Sequence, residues 1–301
     1  MVFLQVVVYI FFISGIKKRE DNLLYVSKSA VLAMLLICLE IGLLYILKYE
    51  AGTPLNSDWK AKIVIGSLVS NSAGEIITML IPFCIYLAYK QKHGYLYYIF
   101  AGLSLVAIYF TLSSASLLFA VPTFIISTLI LCFKGDHKTL YRILSFAYLL
   151  AVAVTILLIY LYGDIEGFFE FFRVTGFNSR NRFAIWKELF LNFKNYPIFG
   201  IGFSSTWQAH PEYPTIFQTL AHNTAVQIIT STGIVGTLFF AYHIITIAIM
   251  FIKKPNWNAL TIAFTLLLFL GLSLLDQIYF FPNFTVIYTL LIIFAKKETE
   301  V

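Results

Sequence analysis

Charge is scarce in this chain of 301 residues: 12% of the side chains are Asp, Glu, Lys or Arg, about half the share in an average soluble domain. With 60% hydrophobic residues and a mean hydropathy of +0.85, a water-soluble fold is excluded on composition. Cysteine is also rare. Cys38, Cys84 and Cys132 fall singly inside apolar stretches, with no CxxC spacing and no histidine neighbours, so neither a metal site nor a disulfide framework is indicated and no cofactor is expected. Internal repeats, low-complexity tracts and a soluble domain are missing as well, which makes one membrane domain over 1–301 the economical description. Alternating ten-residue strands are lacking too. Backbone groups in lipid must be satisfied internally, so the expected fold is all-α and polytopic rather than a barrel. The first segment has no basic n-region and no small-residue cleavage site, against a signal peptide.

What is present is a series of apolar runs. A spanning helix needs about 20 such residues, and nine stretches qualify as expected spans: 1–16, 23–47, 63–89, 95–112, 117–133, 140–162, 222–252, 258–280 and 281–295. The net charge of +6 is gathered between them. Lys17, Lys18, Arg19 and Lys28 flank one junction, Lys90 and Lys92 the next but one. Lys134, Lys138 and Arg142 follow, then Lys253 and Lys254, then Lys296 and Lys297. Basic clusters at every second loop mark the cytoplasmic side. They place the N-terminus outside, the C-terminus inside and residues 163–221 outside. The positive charge sets orientation and is not a nucleic-acid surface.

The 163–221 segment is the longest polar interruption, with 59 residues that include five basic side chains and two tryptophans. Loops longer than about 15 residues are usually functional or disordered, and this one is too aromatic for disorder. Asn178 or Ser179 can cap a helix in which Phe183, Trp186, Leu189, Phe190 and Phe193 recur at helical spacing, opposite Arg182, Lys187, Glu188 and Asn192. This is an amphipathic helix suited to the outer headgroup layer; an anchor that only packs on neighbouring helices is the structural alternative. Pro197 ends it. Ile198 to Phe203 then reads as a short extended stretch whose glycines allow tight turning or a close backbone approach.

At the end of the loop, His222 and Asn223 precede a span running inward, and Thr224-Ala225-Val226-Gln227 fits a capping box. A helix N-terminus carries partial positive charge and free N–H donors, which favours phosphate. A histidine there is placed to accept a proton beside an anion. Arg180 and Arg182, with Arg173 upstream, offer guanidinium forks suited to a diphosphate. Two residues apart on a helix, Arg180 and Arg182 point about 200° apart, so one of them enters a site unless the helix starts after Arg180. Lipid or topology contacts remain open for both. Glu75, Asp276 and Glu40 lie within the expected spans, where a charge costs about 2.5–3.5 kcal/mol. Each is therefore expected to face the interior, as a cavity residue, an ion-path residue or a structural partner of another helix.

The order Arg182-x3-Trp186, Tyr196-Pro197-Ile198-Phe199-Gly200-Ile201-Gly202-Phe203, Ala221-His222-Asn223, Gly233-Ile234-Val235-Gly236 resembles the O-antigen ligase and Wzy-type polymerase superfamily, with an expected core over about 63–252. The resemblance implies an inverting, metal-independent glycosyltransferase of surface polysaccharide biosynthesis. Its substrate would be a polyprenyl-diphosphate-linked oligosaccharide, handled at the outer face of the inner or plasma membrane, periplasmic or exterior. His222 would be the general base. Arg182, with Arg180 second and Asn223 beside them, would hold the diphosphate, while Glu75, Asp276 and Trp186 would line the cavity. Membrane lipids, a flippase and a chain-length regulator are the implied partners. The chain departs from the family pattern at Thr111 to Ser116, where Ser114 stands in the place of an arginine expected to contact phosphate. A Wzy-like polymerase is preferred over a ligase. The alternatives are a polysaccharide or lipid-glycan flippase and an inactive remnant; against a flippase, no paired broken helices or inverted halves are legible.

Overall fold

A computed structural model describes residues 22–48, 57–66, 68–135, 137–162, 179–202, 221–253, 256–276 and 278–299. The expected span 1–16 and the loop residues 163–178 and 203–220, with Arg173, Asn178 and Phe203, lie outside the described residues. The chain divides into two compact units, Arg19–Phe177 and Asn178–Val301 with Met1–Lys18.

The first unit holds α1 (Asn22–Lys48), a short α2 (Ser57–Lys62), α3 (Ser70–Lys90), α4 (Gly94–Phe110), α5 (Ser114–Lys134) and α6 (Lys138–Tyr162). The expected span 63–89 is corrected at its start. Val64–Ile65 and Leu68–Val69 form a two-residue antiparallel pair, β1 and β2, with Val64 opposite Val69. Gly66, at φ 57°, supplies the turn, a conformation glycine adopts without steric cost. The helix then begins at Ser70. It is the core of its unit, nearly all buried and packed against α1, α4 and α5. A Cβ at Gly74 would stand 2.8 Å from the hydroxyls of both Thr111 and Ser116, so the missing side chain lets α3 lie close to the α4–α5 turn. That turn is tied down by polar contacts. Ser70 Oγ donates to the Thr111 carbonyl, Trp59 Nε1 donates to the Phe110 carbonyl at 2.8 Å, and Lys60 Nζ donates to the Leu112 carbonyl at 3.0 Å. Ser113 caps α5 through Ser116 N–H.

The second unit holds α7 (Ser179–Phe193), α8 (Thr224–Lys253), α9 (Trp257–Leu275), a 3₁₀ turn (Ile278–Phe280) and α10 (Pro282–Thr299). Asn256 caps α9 by accepting from Ala259 N–H at 2.7 Å. A ring cluster of Phe269, Tyr279 and Tyr288 packs α9, the 3₁₀ turn and α10 together, with Phe269 stacked on Tyr288 at 4.7 Å. The expected span 258–280 is corrected at its end. The helix stops at Leu275, and Asp276 follows in an extended conformation.

Five helices among the described residues are long and apolar enough to cross a membrane: α1, α3, α5, α8 and α9. Their outward faces carry leucine, isoleucine and phenylalanine in the open, such as Leu32, Leu36, Leu43 and Ile46 on α1 and Leu238, Phe239, Ile245 and Ile252 on α8. In water such faces would drive association; in lipid they meet a solvent as apolar as themselves. The protein is all-α in its spanning elements and multi-pass in the membrane.

Candidate active site

The second unit brings side chains from α7 and from the start of α8 to three consecutive residues at the end of α9. At the end of α9, the Leu274 carbonyl accepts from Asn223 Nδ2 at 2.7 Å, and the Leu275 carbonyl accepts from Arg182 Nη1 at 2.6 Å. His222 Nδ1 stands 3.3 Å from Asp276 Oδ1. Helix ends leave their last four carbonyls without intrahelical partners, so the terminus of α9 is a ready acceptor for the amide and the guanidinium. The His222 side chain is 44% exposed and that of Asp276 14%. The imidazole is thus open to a substrate on one side and backed by a shielded carboxylate on the other.

α7 forms over the amphipathic stretch read from the sequence, and Leu189 is buried on it. Arg182 is not on the opposite, polar face. Arg182, Trp186 and Leu189 stand at i, i+4 and i+7, which is one stripe of a helix, and that stripe is the one facing the site. Trp186 Nε1 donates to the Ala221 carbonyl at 2.7 Å. Arg182 has one donor on Leu275 out of the five a guanidinium carries. The side chain of Arg180 lies outside the described residues.

The capping box is corrected by one residue. Asn223 is the N-cap of α8: its Oδ1 accepts from Val226 N–H at 3.0 Å, and its carbonyl accepts from Gln227 N–H at 2.9 Å. Thr224 turns its hydroxyl toward the Asp276 carbonyl at 3.5 Å. The Gln227 Oε1 passes beyond the cap to accept from Ala221 N–H at 2.9 Å. Asparagine at the N-cap is among the best choices because its short amide reaches the third helical N–H. Its placement puts His222 outside the helix at φ 48°, in the left-handed region where histidine is one of the few side chains enriched. Such a residue costs about 1–3 kcal/mol and persists only when its surroundings over-determine it.

The element that sequence reasoning missed is a break in α8. Gly233 sits at φ 69° and ψ −166° inside what reads as one 30-residue helix. Two intrahelical bonds, from Ile234 N–H to the Thr230 carbonyl and from Val235 N–H to the Ser231 carbonyl, would close an ideal ladder there. The Pro197–Gly202 segment takes their place. Ile234 N–H donates to the Pro197 carbonyl at 2.9 Å and Val235 N–H to the Ile198 carbonyl at 3.2 Å. In return, Ile201 N–H donates to the Thr230 carbonyl at 2.8 Å and Gly202 N–H to the Ser231 carbonyl at 2.9 Å. The segment is not extended but takes the tight turn its glycines allow, closed by Gly200 N–H on the Tyr196 carbonyl at 2.8 Å. The close approach expected of its glycines is present. A Cβ at Gly200 would stand 2.5 Å from Gly233 N, and one at Gly233 would stand 2.3 Å from the Ile198 carbonyl oxygen. Length was the available signal: 30 residues make a helix of about 45 Å, against about 30 Å of hydrocarbon.

Of the remaining expected site residues, Glu75 is fully buried on α3 in the first unit, and Glu40 is exposed on α1, against the expectation that it faces inward. Ser114, in the place of the expected arginine, opens α5. Among the described residues, no three His, Cys, Asp or Glu side chains gather where they could hold a metal ion.

These features define a class first: a multi-pass membrane protein with a half-exposed His–Asp pair at the mouth of an interrupted helix and an arginine on the adjoining carbonyl. The O-antigen ligase family model matches residues 99–241, so that stretch of the chain is similar to the O-antigen ligase family. The matched stretch takes in Arg182, Trp186, His222 and the break in α8, and it ends before Asp276. No curated protein matches the chain. The similarity supports a glycan-processing function of the ligase or polymerase type.

Proposed function

We propose that this protein transfers or polymerises oligosaccharide from a polyprenyl-diphosphate donor at the outer face of the cell membrane, with a Wzy-like polymerase preferred to a ligase. One observation supports the reading above all: His222, Arg182 and Asn223 converge on residues 274–276. With Nδ1–H donated to Asp276, the Nε2 of His222 keeps a lone pair for an acceptor hydroxyl, and the carboxylate stabilises the imidazolium that forms. The acceptor oxygen attacks the anomeric carbon as its proton passes to Nε2. The bond from that carbon to the diphosphate oxygen breaks on the opposite face, which inverts the configuration, and the polyprenyl diphosphate departs with the electron pair.

Arg182 carries the charge of the departing group. Its remaining donors, with Arg180 as second choice, fit diphosphate oxygens better than a point charge would, and the N-terminus of α8 adds its dipole. Asn223 has each polar atom engaged once, and each keeps one further valence for a ligand. Preorganised donors at a developing anion are usually the largest catalytic contribution. The step needs no metal and no nucleotide.

The transporter alternative draws on broken helices, whose freed backbone groups bind cargo or coupling ions. At the break in α8 the four backbone groups named above are taken by the Pro197–Gly202 turn, which favours an architectural role there. The deciding experiment is glycan transfer by purified protein from polyprenyl-diphosphate oligosaccharide of its own organism, wild type against His222→Ala. A ladder of longer lipid-linked products that vanishes in the variant is the expected result. Transfer only to an added second acceptor would make the protein a ligase. No transfer by well-folded wild type would overturn the reading.

A further inference from the structure

His222 has an unusual backbone and an exposed ring, and neither is held by the ring's own contact with Asp276 alone. Ala221, the residue before it, is fully buried and is gripped on both of its backbone polar groups. Its N–H is bonded to Gln227 Oε1 at 2.9 Å, and its carbonyl is bonded to Trp186 Nε1 at 2.7 Å. The carbonyl belongs to the peptide plane that leads into His222, so the indole fixes one end of the φ 48° torsion. Gln227 is itself fully buried, and its Nε2 donates to Ser231 Oγ at 2.8 Å. Ala221 N–H can only donate, which settles that the amide oxygen of Gln227 faces it.

We propose that Gln227 and Trp186 are positioning residues that clamp Ala221 from both sides and so hold His222 in its left-handed conformation, with its ring facing Asp276. The catalytic consequence of the clamp rests on the transfer reading above; its geometric consequence does not. Gln227 leaves α8 one turn below the cap and Trp186 comes from α7, so two elements over-determine one peptide. The clamp also ties His222 to the interrupted part of α8, since Ser231 lies two residues before Gly233 and its carbonyl accepts from Gly202 N–H.

The test reads the ring directly. The full chain in detergent micelles is treated with diethyl pyrocarbonate, and carbethoxylation of His222 is followed by peptide mass spectrometry. Asp276→Asn is expected to change the His222 rate by about twofold or more, the lower bound for coupled side chains in contact. In a Trp186→Phe or Gln227→Met background the same Asp276→Asn change is expected to have no effect, because the ring no longer faces residue 276. Gln227→Glu keeps an oxygen for Ala221 N–H and is expected to preserve the Asp276 effect. An unchanged Asp276 effect in folded Trp186→Phe and Gln227→Met proteins would overturn the clamp, as would no Asp276 effect in the wild-type background. If Gln227→Met does not fold, Trp186→Phe decides alone, since it removes the indole N–H and keeps an aromatic ring at a half-buried position. Transfer assays on the same proteins separate the two ideas. Coupling without wild-type transfer overturns the transfer reading and supports the clamp; transfer that needs His222, without coupling, overturns the clamp.

Discussion

His222 is held by residues that a sequence lists far apart. Asp276 is 54 positions away, and the carbonyl that receives Arg182 is 93 positions from it. The histidine and the arginine can be singled out in the sequence on the long polar loop and at its end, and the aspartate as a charge within an apolar run. Their convergence cannot, because it depends on where α9 stops. Hydropathy carries the apolar run through Ile278 and Phe280, whereas the last helical bond is from Asp276 N–H to the Leu272 carbonyl. The N-cap shows the same limit at shorter range: Asn223 and Thr224 both suit a cap, and the choice falls to Asn223 because its Nδ2 also reaches Leu274. Asn223→Ala removes the cap on Val226 N–H and is expected to lower stability by about 1 kcal/mol, read as a fall in Tm in detergent. Asp276→Asn keeps the shape and loses the charge behind the imidazole. It is expected to lower kcat with KM little changed, the pattern for an interaction that strengthens only as charge develops.

At the scale of the element, the interruption of α8 is held by two glycines with distinct duties. Gly200 and Gly233 approach so closely that neither backbone has room for a Cβ, and both have positive φ. Gly202 also has positive φ, at 79°, but among the described residues nothing lies within 4 Å of its missing Cβ. Gly233→Ala and Gly200→Ala therefore incur a backbone clash as well as torsional strain, and are expected to destabilise by about 3 kcal/mol or more. Gly202→Ala incurs strain alone and is expected to cost about 1 kcal/mol. Thermal unfolding of the three variants side by side checks the order. The Tyr196–Phe203 and Gly233–Gly236 motifs are legible in the sequence as separate pieces. That they are one device, a turn inserted into a helix ladder, follows only from the backbone bonds between them.

At the scale of the molecule, hydropathy located the helices well and their ends poorly. Apolar runs specify which residues avoid water, and lipid-facing and protein-facing residues look alike by that measure. Ser70 rather than Ile63 opens α3, since Gly66 favours a tight turn and Val64, Ile65 and Val69 around it favour extended strand. The orientation expected from the basic clusters can be tested on a background in which Cys38, Cys84 and Cys132 are replaced by alanine. Cysteine introduced at Asn223 is expected to react with a membrane-impermeant maleimide applied to intact cells, whereas cysteine at Lys253 is expected to react only after the membrane is opened. The reverse pattern would place His222 on the cytoplasmic side and remove its access to an outer-face donor.

The turn and the interrupted helix exchange four backbone bonds, so neither half can open without the other. In native-state hydrogen exchange the amides of Ile201, Gly202, Ile234 and Val235 should share one opening free energy, although more than thirty residues of chain separate the pairs. Segments that open together form a cooperative unit. Loss of the Gly200–Gly233 contact should release all four amides at once, and the site above them would then rest on a helix free to fray.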